Sequence, residues 1–506
     1  MSLAPEYYFL DNSANGSDPK AIAGDDKKDG SDDNNAKQSY KHLLELVNAA
    51  EAGTVFYLGY SCGFTQTANF RITNSKAVTT IVSLTFDGVH CVCEMLRPTN
   101  ITRGQDTYIK GAAQDGFNGL VRCVEVVNDT TFKYIPNGDD LLSKATRASG
   151  VDKMRCDAGT IKIEPYTSSR FVPEKIFNPV CEYSDSTQSQ HRFDRGTIQG
   201  LSFSKISYHY VGAKTGKPNC FFIYQTDKES IRLHELEING YRIGVYPNSQ
   251  IGAILDLEVI NCRIINNWGW GTLSGADFSL FEGNLFKNNG NNITGGSNKL
   301  HNMYLSNCHH TVVRDNELTE SAMNNGQAMG TELVVHGVCS SLVIEKNWIH
   351  NKVGSSHGGN YGIGVNTGYN TPEKFTGIEI RENVIENCGR ESISCNAWIG
   401  GVIEENEIVS SQPDYPHVGI MFDKERNTAG TPTTDGVSIL NNIISGSSIK
   451  KDIDIQAGTN FTIVRPSDPP VEPPTEPIMC NVEVVTTTQV RVNGVVTAVN
   501  ETITKG

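Results

Sequence analysis

A right-handed parallel β-helix, an all-β solenoid, is the fold this sequence predicts, and three observations predict it. The first is a phrase repeated along the second half of the chain: Phe281-Glu-Gly-Asn284-Leu-Phe286, Val313-Arg-Asp-Asn316-Glu-Leu318, Ile344-Glu-Lys-Asn347-Trp-Ile349. It continues through Ile380 to Ile385 around Asn383, Ile403 to Ile408 around Asn406, and Leu440 to Ile444 around Asn442. Successive Asn are spaced by roughly 23 to 36 residues, within the range of stacked repeat units. The second observation is another short alternating strand after each phrase: Met303-Tyr-Leu305, Leu333-Val-Val335, Ile363-Gly-Val365, Ile393-Ser-Cys395, Ile420-Met-Phe422 and Ile453-Asp-Ile455. The third is that no helical run separates them. Strands this short cannot each bury a core alone. Stacked as coils about 4.8 Å apart, they share one continuous interior.

The Asn frame has a physical reason. An amide offers both donor and acceptor, so Asn side chains stacked at one corner bond their neighbours above and below in a ladder. Turn propensity alone accounts for each Asn but not for the fixed frame around it. Leu236 and Cys262 occupy the Asn position in two earlier coils. With this frame the chain resembles the pectate-lyase-like β-helix proteins, a group of polysaccharide lyases, glycoside hydrolases and phage tailspike depolymerases. The resemblance covers about half the chain. It implies the fold and a polysaccharide ligand, but not which reaction, because one fold hosts many chemistries.

Composition narrows the partners. A net charge of −14 argues against nucleic acid or an anionic membrane surface. No apolar window approaches the length of a membrane span. The first residues carry neither a basic nor an apolar signal region, so no signal peptide is expected in this chain. Thirteen Cys without zinc spacing read as buried free thiols. Together these features suit a protein made in a reducing compartment and acting outside the cell or on a phage virion, as a monomer or a homotrimer.

In chain order, residues 1–84 read as an N-terminal cap and first coil, with a helix from Asn34 or Asn35 to about Ala50 that buries Tyr40, Leu43, Leu44 and Val47. The acidic loop Asp25 to Asp33 invites calcium but departs from the EF-hand pattern, so no cofactor is expected. Residues 85–140 break the rhythm as a small inserted β module, which resembles short β-barrel inserts of phage virion proteins. Residues 141–464 form the β-helix, 465–479 a Pro-rich linker, and 480–506 a β hairpin turning at Asn493-Gly494.

Alternation places a polar file on the outer face of the second strands. With Leu333 and Val335 inward, Glu332, Val334 and His336 face outward. The equivalent positions are Asn302, Tyr304 and Ser306 one coil earlier, then Gly362, Gly364 and Asn366, Ser392, Ser394 and Asn396, and Gly419, Met421 and Asp423. His301, Lys299 and Arg390 edge this file, and Trp268 and Trp270 lie near one end. Amides, carboxylates and rings along a groove suit a sugar chain. Glu332 is the first expected catalytic carboxyl; its partner in a hydrolase is Asp423 or, failing that, Glu391, Asp277 or a loop carboxylate, and the sequence does not fix the pair. Asp423 stands about 14 Å from Glu332 by strand spacing, too far for an inverting pair. In a lyase, Tyr304 or His336 is the base and Arg390 or Lys299 the cation. A binding protein would use Asn302, Asn366 and Asn396 without chemistry. His309 and His310 point to opposite sides of a strand, so no metal site is expected.

Overall fold

A computed structural model describes residues 6–9, 40–58, 63–66, 70–72, 80–138, 141–148, 154–165, 180–193, 199–224, 229–248, 256–291, 299–369, 371–424, 430–466, 483–492 and 495–505. The chain winds into a right-handed parallel β-helix with three parallel sheets. The first, with fourteen strands, runs from Glu6–Phe9 to Thr462–Val464; the second and third, with eleven each, end at Ile443–Ser445 and Ile449–Ile455. Successive coils add strands to each sheet in register, apart from a one-residue shift at His417/Val418 in the third sheet. Phe281, Val313, Ile344, Ile380, Ile403 and Ile439 pair in succession in the first sheet. Met303, Leu333, Ile363, Ile393 and Ile420 do so in the third. All of these side chains are buried, so the interior is a set of apolar columns belonging to one core.

The Asn ladder is present at the corner between the first and second sheets. The side-chain amide of Asn284 donates to Asn316 at 2.8 Å, Asn316 to Asn347 at 2.9 Å, Asn347 to Asn383 at 2.9 Å, Asn383 to Asn406 at 2.9 Å, and Asn406 to Asn442 at 2.8 Å. Each acceptor oxygen takes a second bond, from the backbone N–H of the preceding ladder Asn. The residue before each Asn (Gly283, Asp315, Lys346, Glu382, Glu405, Asn441) has φ between 53° and 66°, the left-handed turn that swings the amide inward. Cys262 ends the ladder, its N–H donating to Asn284 at 2.8 Å.

A helix spans Tyr40–Ala49 and buries Leu43 and Val47 in the solenoid core. Its expected start at Asn34 or Asn35 and the acidic loop Asp25 to Asp33 lie outside the described residues. The inserted module is wider than 85–140. Its six-stranded antiparallel sheet runs from Ile81–Phe86 to Arg155–Cys156 and has its own core around Phe117, Phe132 and Tyr134. The eleven Cys of the described residues are unpaired and buried. The last unit, from Arg465 on, contains a hairpin in which Glu483–Val492 pairs antiparallel with Val495–Lys505. Its turn at Asn493-Gly494 and most of the Pro-rich linker lie outside the described residues. Among the described residues no helix is long and apolar enough to cross a membrane.

Candidate active site

The outer face of the third sheet gathers most of the expected residues, with one systematic correction. The first position of each outward triplet turns inward. Glu332 and Asn302 are fully buried, and a Cβ added at the equivalent Gly362 or Gly419 would meet core Ile385 or Ile444 at 2.7 Å. The strand begins one residue later, at Leu333, so alternation does not govern Glu332, which sits at the corner leading out of the second sheet.

There Glu332 closes a second polar ladder. Asn267 donates to Asn289 at 2.8 Å, Asn289 to Asn302 at 2.7 Å, and Asn302 to Glu332 at 2.6 Å. The carboxylate also accepts from the Ser321 backbone at 3.1 Å, Asn351 at 3.0 Å and Asn360 at 3.2 Å. Glu332 is therefore a structural carboxyl that a substrate cannot reach. Burial pushes it up to about 7, against the pull of its four N–H partners. Because the folded value lies above the unfolded one, the contribution of Glu332 to stability is fully present below about pH 4.5 and is lost as pH rises through about 7, about 3 kcal/mol in all. Glu332→Gln is expected to flatten this slope in urea melts at pH 4 to 8, to cost about 1–3 kcal/mol at acidic pH because its amide faces a former donor, and to leave turnover per folded molecule unchanged.

Among the second and third positions, Tyr304, Ser306, His336, Asn366, Met421 and Asp423 are at least partly exposed, while Val334, Ser394 and Asn396 are buried. His336 donates from Nδ1 to the Asn366 carbonyl at 2.5 Å, which leaves Nε2 as its open nitrogen. Its ring lies between those of Tyr304 and Tyr369, each 5.4 Å away. Tyr369 arrives on a loop that sequence reasoning missed. The loop is pinned by buried Glu373, which accepts from the backbone N–H of Gly337 at 2.7 Å, Gly368 at 2.5 Å and Tyr369 at 2.7 Å. Despite its burial, those bonds and His336 hold Glu373 below its ordinary value. The Tyr369 hydroxyl meets Tyr304 at 2.6 Å and Ser306 at 3.0 Å. Burial first, then the Tyr369 hydroxyl, raise Tyr304 well above the usual phenol range, so it stays protonated and is not a proton acceptor. His301 is buried, bonded to the Thr331 carbonyl at 3.1 Å, and pushed down to about 3 by burial, so it stays neutral.

Toward the N-terminal coils the same face carries residues that the repeat phrase did not flag. A cavity of about 500 Å³ is lined by Arg192, Lys217, Phe222, Tyr224, Arg242 and Tyr246 among others. A second, of about 310 Å³, shares Tyr246 and Asn248 with it and reaches Ser306 and Tyr369. The Arg192 guanidinium lies 5.7 Å over Phe222, and Phe222 packs 5.1 Å from Tyr246. Trp270 stands at this edge with Arg242 5.7 Å over its ring. Trp268 is half-buried and lines neither cavity, and Lys299 is exposed and lines neither.

At the C-terminal end Glu391 and Asp423 stand on adjacent coils. Glu391 is 7 % exposed and begins the strand Glu391–Cys395. Ile393 and Cys395 fill the core, and the nearby Ser394 hydroxyl favours the ionised form of Glu391. Asn366 donates to Ser394 in turn, at 3.4 Å. Burial chiefly raises Glu391; Asp423 on the next coil adds to this, while Ser394 and Arg390 oppose it. Asp423 is exposed, one strand over and two residues beyond Ser394 in the pairing of Cys395 with Phe422, about 8 Å from it by strand geometry. Burial chiefly raises Tyr361, and the charges of Glu391, Arg390 and Asp423 also act on it. Asn396, one residue past the end of the strand Glu391–Cys395, accepts from the Thr367 backbone at 2.7 Å.

From Arg192 to Asp423 the face crosses nine strands, about 38 Å at the inter-strand spacing. Among the described residues no three of His, Cys, Asp or Glu come together as metal ligands.

No family model matches this chain, and no curated protein does either. Among solved structures, it is similar to the Dettilon tailspike protein (gp208), at 11 % identity and TM-score 0.49 over 92 % of this chain and 69 % of that one. It is also similar to a glycoside hydrolase, at 10 % identity and TM-score 0.42 over 92 % and 98 %. A third likeness is the GH136 lacto-N-biosidase from Eubacterium ramulus, at 10 % identity and TM-score 0.43 over 89 % and 68 %.

Proposed function

We propose that the chain is a polysaccharide hydrolase that binds a glycan along the outer face of the third sheet and cleaves it between Glu391 and Asp423. The observation that carries this reading is the pairing of unlike carboxyls on adjacent coils. Glu391 is mostly buried and raised, as a general acid must be to hold its proton near neutral pH. Asp423 is exposed, where it can activate water. Asp423 lies one strand over and five residues beyond the partner of Glu391, so the two act as an inverting pair with a water between them when the Glu391 side chain reaches toward Ser394, about 8 Å from Asp423 by strand geometry. Ser394 positions Glu391, and Arg390 beside it tunes the acid without ligating the scissile oxygen.

The remainder of the face fits the rest of a sugar chain. Phe222, Tyr224 and Tyr246 offer rings for the C–H faces of sugars. Asn248, Ser306 and Asn366 offer donors and acceptors for hydroxyls. Tyr246→Ala is expected to raise KM about tenfold, a loss of about 1.4 kcal/mol of sugar stacking, with kcat nearly unchanged because the ring is remote from the carboxylates. Initial-rate kinetics check this.

The defining experiment is a panel of neutral and uronic polysaccharides, read for new reducing ends and for absorbance near 235 nm. Reducing ends alone are the expected result. Both signals together mean β-elimination, and neither signal across the panel means a binding protein.

A further inference from the structure

A third cavity, of about 290 Å³, lies away from the groove, where the inserted module meets the first sheet; Lys110, Arg155, Asp256, Phe278, His310 and Arg314 are among its walls. Such a volume is at the small end for ligand sites. Its charges are arranged unevenly. Asp256 is engaged, with the Ser230 hydroxyl donating to it at 2.6 Å and both Lys110 and Arg155 (Nε, 3.2 Å) paired to it. Arg314 donates to Glu282 at 2.9 Å. Arg155 is only 4 % exposed, yet its Nη1 is buried with no hydrogen-bond partner among the described residues. A buried guanidinium N–H without an acceptor is costly and uncommon.

The opposite wall is aromatic. The rings of Phe278 and His310 stack 4.8 Å apart with planes 13° from parallel. Both take the left-handed turn that recurs at this corner in the flanking coils, at Asp256 and Ser341.

The geometry points to a second ligand site here, for a sugar ring that bears a carboxylate. The free Nη1 of Arg155 supplies the charge-assisted donor for the carboxylate, and the Phe278–His310 pair supplies a flat wall for the ring. The site does not depend on the cleavage chemistry of the groove. It would let the module and the solenoid together hold an acidic residue of a glycan while another stretch occupies the groove.

Calorimetric titration of the full chain with glucuronate, glucose and inorganic phosphate tests this. Glucuronate is expected to bind at least tenfold more tightly than either of the others. Arg155→Lys, which keeps a cation beside Asp256 but removes Nη1, is expected to weaken glucuronate at least tenfold. Phe278→Asn, which removes the ring and tolerates positive φ, is expected to do the same without loss of thermal stability. Glu391→Gln, in the groove, is expected to leave this binding unchanged. Equal binding of glucuronate and glucose, phosphate binding as tight as glucuronate, wild-type affinity in both junction variants, loss of binding in Glu391→Gln, or no binding at all would each overturn the assignment.

Discussion

Glu391→Gln is expected to lower kcat on the polysaccharide that the panel identifies by about 10²- to 10⁴-fold, the usual worth of a positioned general acid. KM should change little, because the carboxyl contacts one glycosidic oxygen while the rings and amides of the groove hold the chain. Asp423→Asn should fall by a similar factor through loss of the base. The two variants separate in their pH behaviour. Glu391 is raised partly by the charge of Asp423, so Asp423→Asn should move the titration of Glu391 toward its ordinary value, to lower pH. Arg390 opposes that shift, so Arg390→Gln should move the titration the other way and extend activity to higher pH. Carboxyl-carbon NMR of the two variants reads both shifts directly. A pair with no mutual influence would titrate identically in wild type and Asp423→Asn.

The second large effect belongs to the fold. Asn347→Ala is expected to destabilise the solenoid by about 3–5 kcal/mol, as expected when a buried polar network loses its middle member. Asn347 donates to Asn383 and to the Val313 carbonyl at 3.0 Å, and accepts both the backbone and the side-chain N–H of Asn316. Removing it strands all of these away from water. Asn442, the last ladder residue, accepts from Asn406 but donates only to backbone carbonyls and is only partly buried. Asn442→Ala should therefore cost about 1–2 kcal/mol. Since each coil contacts chiefly its neighbours, hydrogen exchange should show the Asn347→Ala loss concentrated in the coils around residues 313–383.

The contrast between ladder and groove explains what could be read from sequence. The ladder was legible because its signal is local: a left-handed residue, an Asn, then an apolar strand, repeated. The apolar columns followed from the same frame. Glu332 was misplaced because alternation was extended one residue past the strand, into a corner whose geometry no two-residue period describes. Tyr369 and Glu373 were invisible because their role comes from a loop that folds back over earlier coils. Arg192, Phe222 and Tyr246 escaped notice because their coils lack the Asn frame that marked the register elsewhere. The partnership of Glu391 with Asp423 depends on the side-chain reach from Glu391 to Ser394. Sequence offered Glu391 only as one of several alternatives.

The central claim is that a glycan lies along the third sheet with its scissile bond between Glu391 and Asp423. A crystal structure of Glu391→Gln bound to an oligosaccharide of the cleaved polysaccharide tests it most directly. The account predicts sugar rings against Phe222 and Tyr246, a glycosidic oxygen within hydrogen-bond distance of residue 391, and space for a water beside Asp423. An oligosaccharide seated on the first or second sheet, or crossing the third without approaching either carboxylate, would contradict it.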